Sequence, residues 1–155
     1  IRAARDMKGG TVLGLSPSSL VTLWGLHWLK DEGVAKDVSV RHVSAADSVA
    51  QLVLSGEAVA GFMSTANFSK LAPEVQARLR VLEESDSITG RVYLLNKRLA
   101  ARQKDVDKAL WAFADSAEGK TYFEANKLDG YRKLRPRELD KMDRYAEEVR
   151  QVLHK

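Results

Sequence analysis

Cysteine is absent from this 155-residue chain. That excludes a disulfide framework, thiolate metal ligation and thiol chemistry, and suits an oxidising compartment without proving one. No apolar run reaches the ~18–20 residues of a membrane-spanning helix. The three histidines, His27, His42 and His154, never fall at a metal-ligand spacing such as H-x-x-x-H, so no metal is expected. There is no repeat at a fixed period, no low-complexity tract and no signal-like apolar segment. The opening Ile1-Arg2-Ala3-Ala4-Arg5 carries no initiator Met and reads as a piece of something longer or a processed product.

What is present is the composition of a soluble globular protein, 45% hydrophobic and 30% charged with a net charge of +4. The length suits one ordinary domain or two small lobes. The densest basic cluster, Arg132-Lys133-Leu134-Arg135-Pro136-Arg137, reads as a solvated turn rather than a nucleic-acid patch.

The most informative stretch runs from Thr11 to Gly33. Thr11-Val12-Leu13 is a short β-prone run. Gly14-Leu15-Ser16-Pro17-Ser18-Ser19 follows, and then an apolar-periodic segment through Leu20, Leu23, Trp24 and Leu26 to Leu29. Ser16 suits an N-cap, Pro17 the first helical position, and Gly33 a left-handed stop. The pattern predicts a helix whose amino end presents free N–H groups and serine hydroxyls at the carboxyl end of a strand. Open α/β sheets bind ligands there, anions in particular.

Downstream the chain alternates. Val38–Val43 predicts a half-buried strand, Ser48–Ser55 a helix stopped by Gly56, and Val59–Met63 a compact strand. Ser64 opens a helix to about Leu79, interrupted near Pro73. Arg80–Glu84 predicts a further strand, and Arg91–Leu95 another after the coil from Ser85 to Gly90. Helices are expected over Asp105–Ala117, about Gly119–Asn126, and about Pro136–Leu153. Strand–helix alternation with short links means α/β with a mostly parallel sheet.

Catalytic constellations are missing. Gly-Leu-Ser-Pro-Ser lacks the second glycine of a nucleophile elbow, and Pro17 removes the N–H that an oxyanion hole needs there. Glu83, Glu84 and Asp86 are close in sequence but face different ways on a strand. Gly9, Gly10 and Gly14 match neither the dinucleotide fingerprint nor a P-loop. Trp24, Trp28 and Trp111 sit at helical core spacings. An enzyme is not expected.

Several segments, in one order along most of the chain, resemble the phosphate/phosphonate branch of the type II periplasmic solute-binding proteins of ABC transporters. Asp6-Met7-Lys8-Gly9-Gly10-Thr11-Val12 is similar to the D-L-K-G-K-T-V entry to that family's second lobe. Gly14-Leu15-Ser16-Pro17-Ser18-Ser19 resembles its D-P-S-S-T-S-G segment. Ser44-Ala45-Ala46-Asp47-Ser48 with Leu54-Ser55-Gly56-Glu57-Ala58-Val59-Ala60-Gly61 is similar to H-D-A-A-L-Q-A-V-L-N-G-E-V-D-A-A. Arg91–Leu99 resembles the return strand and its turn, and Ala109–Lys120 the A-L-L-A-L-D-D-T-P-E-G-R helix and cap. Leu20, Val21 and Thr22 stand where the family continues with small hydroxylated residues, and Ala46 stands for its His.

The resemblance implies a three-layer α/β lobe over residues 6–85, complete in this chain. Residues 86–155 would return to a first lobe whose amino-terminal half is absent. It implies a solute-binding component of an importer that takes a small anion (phosphate, phosphonate, or a carboxylate, sulfonate or organic phosphate with an apolar tail). The site residues would be Ser16, Ser18, Ser19, Asp47 and Thr65, without a cofactor. The implied partner is a membrane permease, and the location periplasmic or lipid-anchored outside the cytoplasm. A ligand-sensing domain of a regulatory protein, with the same fold, is the alternative; an unrecognised α/β enzyme ranks below both. A half-lobe would leave strand edges and helix faces uncovered, so self-association through residues 91–117 is also expected.

Overall fold

The computed structural model describes residues 1–86 and 92–153. It divides into two compact parts, Ile1–Ser87 with Lys141–Lys155, and Ile88–Asp140.

The first part is built on a three-stranded parallel sheet, with β1 (Thr11–Gly14) between β2 (Ser39–His42) and β3 (Ala60–Gly61). Val12 aligns with Val40 and Ala60, and Leu13 with Arg41 and Gly61. Successive strand residues point to opposite faces, and β1 uses both. Val12, fully buried, packs with Ala4, Met7, Leu29, Val34 and Phe62. Leu13, also fully buried, packs with Val49 and Ala58 on the other side. Helix α1 (Leu20–Asp31) supplies the first face and α2 (Ala46–Leu54) the second. Helix α1 connects β1 to its neighbour β2, and α2 carries the chain from β2 past β1 to β3, so both faces of the sheet are covered, as parallel sheets require.

The end of α1 shows how local sequence sets this layering. Gly33 adopts φ +71°, and its N–H donates to the Lys30 carbonyl at 3.0 Å while that of Val34 donates to Leu29 at 3.0 Å. This is a Schellman closure, with Val34 and Leu29 packed in the same core. The glycine stop read from the sequence is therefore present.

The beginning of α1 is a correction. Ser16 does not cap the helix, and Pro17 is not its first residue. Residues 16–19 close as a turn in which the Ser19 N–H donates to the Ser16 carbonyl at 2.9 Å. The helix starts only at Leu20, with Ser19 in the N-cap position and no side-chain cap bond. Thr22 decides this register: its buried Oγ1 accepts from the Leu15 N–H at 2.9 Å and ties the first helical turn to the end of β1.

Beyond β3, the predicted long helix is indeed broken at proline, into α3 (Thr65–Phe68) and α4 (Pro73–Gln76). The strand expected over Arg80–Glu84 does not form: residues 79–86 have no regular structure and pair with no described strand.

In the second part, Arg91 of the expected strand Arg91–Leu95 lies outside the described residues, as does most of the coil before it. Val92–Leu95 form no ladder and are exposed, Leu94 at 84%. A strand needs a neighbour for its backbone groups, and none is present among the described residues. The edge pairing behind the expected self-association therefore has no strand to run through. A 3-10 turn (Lys97–Arg102) leads into α5 (Gln103–Asp115). Ser116 accepts from the Gly119 N–H at 3.0 Å and starts α6 (Ala117–Ala125) two residues before the predicted point. Rings of Phe113, Tyr122, Phe123 and Tyr131 cluster edge to face, with Tyr93 and Trp111 against Tyr131. Trp111 is more exposed than a core residue would be.

The last predicted helix is divided into a 3-10 turn (Glu138–Met142) and α7 (Asp143–Leu153). Helix α7 belongs to the sheet-bearing part. Tyr145 is buried with its ring edge-on to His27, and Glu148 meets the His27 Nε2 at 2.5 Å. His154 lies outside the described residues. The architecture is α/β, a small parallel sheet flanked by helices.

Candidate functional site

The three strands run parallel, so their carboxyl ends lie on one edge, and the segments that follow them share it. After β1 comes the serine turn, after β2 the link Val43-Ser44-Ala45, and after β3 the residues Phe62-Met63-Ser64. The structure thus brings Ser16, Ser18, Ser19, Asp47 and Thr65 to the same end of the sheet. Each sits in the turn before a helix or in a helix's first turn.

The serine turn is held from two sides. Thr22 anchors Leu15, as above. A Cβ at Gly14 would lie 2.8 Å from the Thr22 Cγ2, so glycine is what lets β1 end against this helix. Within the turn, Ser16 Oγ lies 3.0 Å from Ser18 Oγ and accepts from the Ser18 N–H at 3.3 Å. The N–H groups of Ser18 and Ser19 are thus engaged inside the turn. The unspent donors at the surface of the helix end are instead those of Leu20 and Val21, which have no carbonyl one turn earlier in the helix to bond; the Thr22 N–H lies beneath them, fully buried. They carry the positive end of a 12-residue helix. Ser19, half-buried with no capping bond, and Ser18 stand beside them with hydroxyls that can donate to an anion.

Asp47 is exposed in the first turn of α2, where its charge favours the helix dipole. Thr65 is exposed at the start of α3; Ser64 caps that helix by accepting from the Asn67 N–H at 3.2 Å. Thr65 Oγ1 donates weakly to the Glu84 carboxylate at 3.5 Å. Its hydroxyl is thereby committed to an acceptor that would repel an anion.

His42 was legible only as a strand residue. It ends β2 directly opposite Gly14, and its ring carbon Cδ2 would lie 3.5 Å from a Cβ there. The edge thus gains an imidazole beside the serine turn. The signal for it was the parallel register, which sequence periodicity does not specify.

A cavity of about 440 Å³ opens elsewhere, beyond β3. Its lining includes Thr65 but none of the three serines. Among the described residues no group of three or more His, Asp or Glu side chains could hold a metal ion. No described helix is long and apolar enough to cross a membrane.

Taken together, the fold is an α/β lobe with the amino ends of α1, α2 and α3 gathered at the carboxyl edge of a parallel sheet. The model of the phosphonate-binding family, the periplasmic substrate-binding proteins of ABC transporters, matches residues 1–139. The chain belongs to that family. Neither a curated protein nor a solved structure gives a significant match. Membership makes this a binding component rather than an enzyme, of a kind that works outside the cytoplasm with a small ligand and a membrane permease.

Proposed function

We propose that this chain supplies one wall of an anion site, for phosphonate, phosphate or a related oxyanion that it delivers to an ABC permease. The observation that carries the reading is the serine turn. The Ser18 and Ser19 amides are engaged inside it, while the N–H groups of Leu20 and Val21 and the hydroxyl of Ser19 remain available at the helix end. A tetrahedral oxyanion there meets several donors and a favourable dipole at once. Ser16 acts by holding Ser18. Asp47 borders the same edge and suits a ligand that keeps a proton or carries an ammonium group, since its carboxylate accepts from either. The apolar side chains of Leu20 and Val21, both half-buried, favour a ligand with an apolar tail over bare phosphate.

Titration calorimetry with methylphosphonate and phenylphosphonate tests this. Ser19 makes no capping bond, so Ser19→Ala leaves the unfolding midpoint nearly unchanged. Its affinity falls by roughly tenfold or more, the value of a charge-assisted hydrogen bond at ~1.5–3 kcal/mol. Equal affinities for Ser19→Ala and the unaltered chain, at measurable binding, would overturn the assignment.

A further inference from the structure

The second part of the chain holds a cavity of its own, about 430 Å³, walled by α5, α6 and residues 128–131. Helical spacing builds two of the walls. Trp111, Ala114 and Asp115 stand at i, i+3 and i+4 on α5, and Lys120, Phe123 and Glu124 stand the same way on α6. Residues 128–131, with Asp129 and Tyr131, close the third side.

Two features of this lining decide what it can hold. The first is aromatic. Phe123 is buried, and the Tyr131 ring stands edge to face against it at 4.8 Å. Trp111 lies 6.4 Å from Tyr131 with its plane turned by 76°. The Tyr131 hydroxyl is tied to that of Tyr93 at 2.9 Å, so this ring is fixed in advance of any ligand. Trp111, 36% exposed, leaves indole surface within reach of a solute. The second feature is charge. Asp115, Glu124 and Asp129 line the cavity against one cation, Lys120, in a chain whose net charge is +4. None of these four side chains forms an ion pair among the described residues. Nor do the three carboxylates converge as the ligands of a metal ion would.

We infer that this cavity binds the trimethylammonium head of a small solute. A quaternary ammonium has no N–H to donate, so aimed carboxylates gain it little. It is held by ring faces, tryptophan best of all, and by negative charge spread around them. A bare metal cation would need oxygens that converge on one point, and an anion would meet three carboxylates. A neutral apolar molecule would gain nothing from the acidic rim. The inference is independent of the anion site, which belongs to the other part of the chain.

The test follows the indole N–H signals of the three tryptophans in nitrogen–proton correlation spectra of the full chain, at constant chloride. Trp111→Phe assigns one of them. Choline moves the Trp111 signal saturably and leaves those of Trp24 and Trp28 in place. Its neutral isostere, with a tert-butyl group for the trimethylammonium, and the primary ammonium ethanolamine both bind roughly threefold more weakly or worse. Asp115→Asn combined with Glu124→Gln, at two exposed positions, weakens choline binding by a similar factor and leaves the unfolding midpoint in place. No saturable shift at Trp111, or equal affinity for choline and its neutral isostere, would overturn the inference. Equal affinity for ethanolamine would reduce the site to an acidic surface and overturn it as well. So would capture of the chain by phosphatidylcholine vesicles from which free choline cannot release it.

Discussion

The two parts of the chain contain similar amounts of apolar sequence per length but use it differently. In the sheet-bearing part, Met7, Val12, Leu13, Leu29 and Val34 are at most 2% exposed, and among the described residues the large exposed apolar side chains are Ile1 and Val81. In Ile88–Asp140, Phe123 is the one described large apolar side chain that is buried, while Val92, Tyr93, Leu94, Leu95, Leu99, Trp111 and Leu134 face outward. A parallel sheet with helices on both faces closes around its own residues. Two helices and an irregular segment share an aromatic cluster but cannot cover the rest. The candidate site lies on the part that has a core of its own, where a turn can be held in place by buried partners such as Thr22.

Core truncation breaks the comparison most strongly. Leu13→Ala removes a fully buried side chain between β1 and α2, and is expected to cost ~2–5 kcal/mol. Leu94→Ala, at an 84% exposed position, is expected to stay within about 0.5 kcal/mol. Denaturant unfolding of both variants checks the contrast; equal losses would show that the two parts share one core.

A smaller effect sharpens the link between core and site. Thr22→Val keeps the shape but leaves the Leu15 N–H without its acceptor, at a cost of ~1–3 kcal/mol. It also frees the serine turn, so methylphosphonate affinity falls although Thr22 is not a hydroxyl donor in the site. Thr22→Ser restores both. Parallel calorimetry and thermal unfolding of the two variants separate this from a loss of packing alone.

The smallest effect reports on the second part by itself. The hydrogen bond with the Tyr93 hydroxyl, 2.9 Å away, together with desolvation, pushes the Tyr131 phenol up to about 12. A raised folded-state value favours the neutral form. Its contribution to stability is therefore complete below pH ~10, the ordinary tyrosine value, and is lost as pH rises toward about 12. Absorbance titration of the four tyrosines should show one ionising late, and Tyr93→Phe should bring it back toward the others.

How much of this was legible in the sequence differs along the chain. The glycine stop at Gly33, the break at Pro73 and the α/β alternation rest on local chemistry, and all appear in the fold. The start of α1 was misread because Ser16 and Pro17 are good start signals in isolation. A tertiary bond from Leu15 to Thr22, seven residues apart, moved the helix to Leu20. The strands at Arg80–Glu84 and Val92–Leu95 were misread for a different reason: strand propensity is realised only against a partner, and the described residues provide none. The candidate site residues were proposed through family resemblance. That His42 joins them at Gly14, and that Thr65 meets Glu84, follow from register and packing that no local pattern encodes.

The most direct test of the central claim is a nitrogen–proton correlation titration of the folded chain with methylphosphonate. The account predicts the largest amide shifts at Leu20 and Val21, with smaller ones at Ser18, Ser19 and His42, and little change along β3 and residues 80–84. Each should saturate with one common affinity that Ser19→Ala weakens by roughly tenfold or more. Saturable shifts confined to β3 and residues 80–84, with the Leu20 and Val21 amides unmoved, would contradict it.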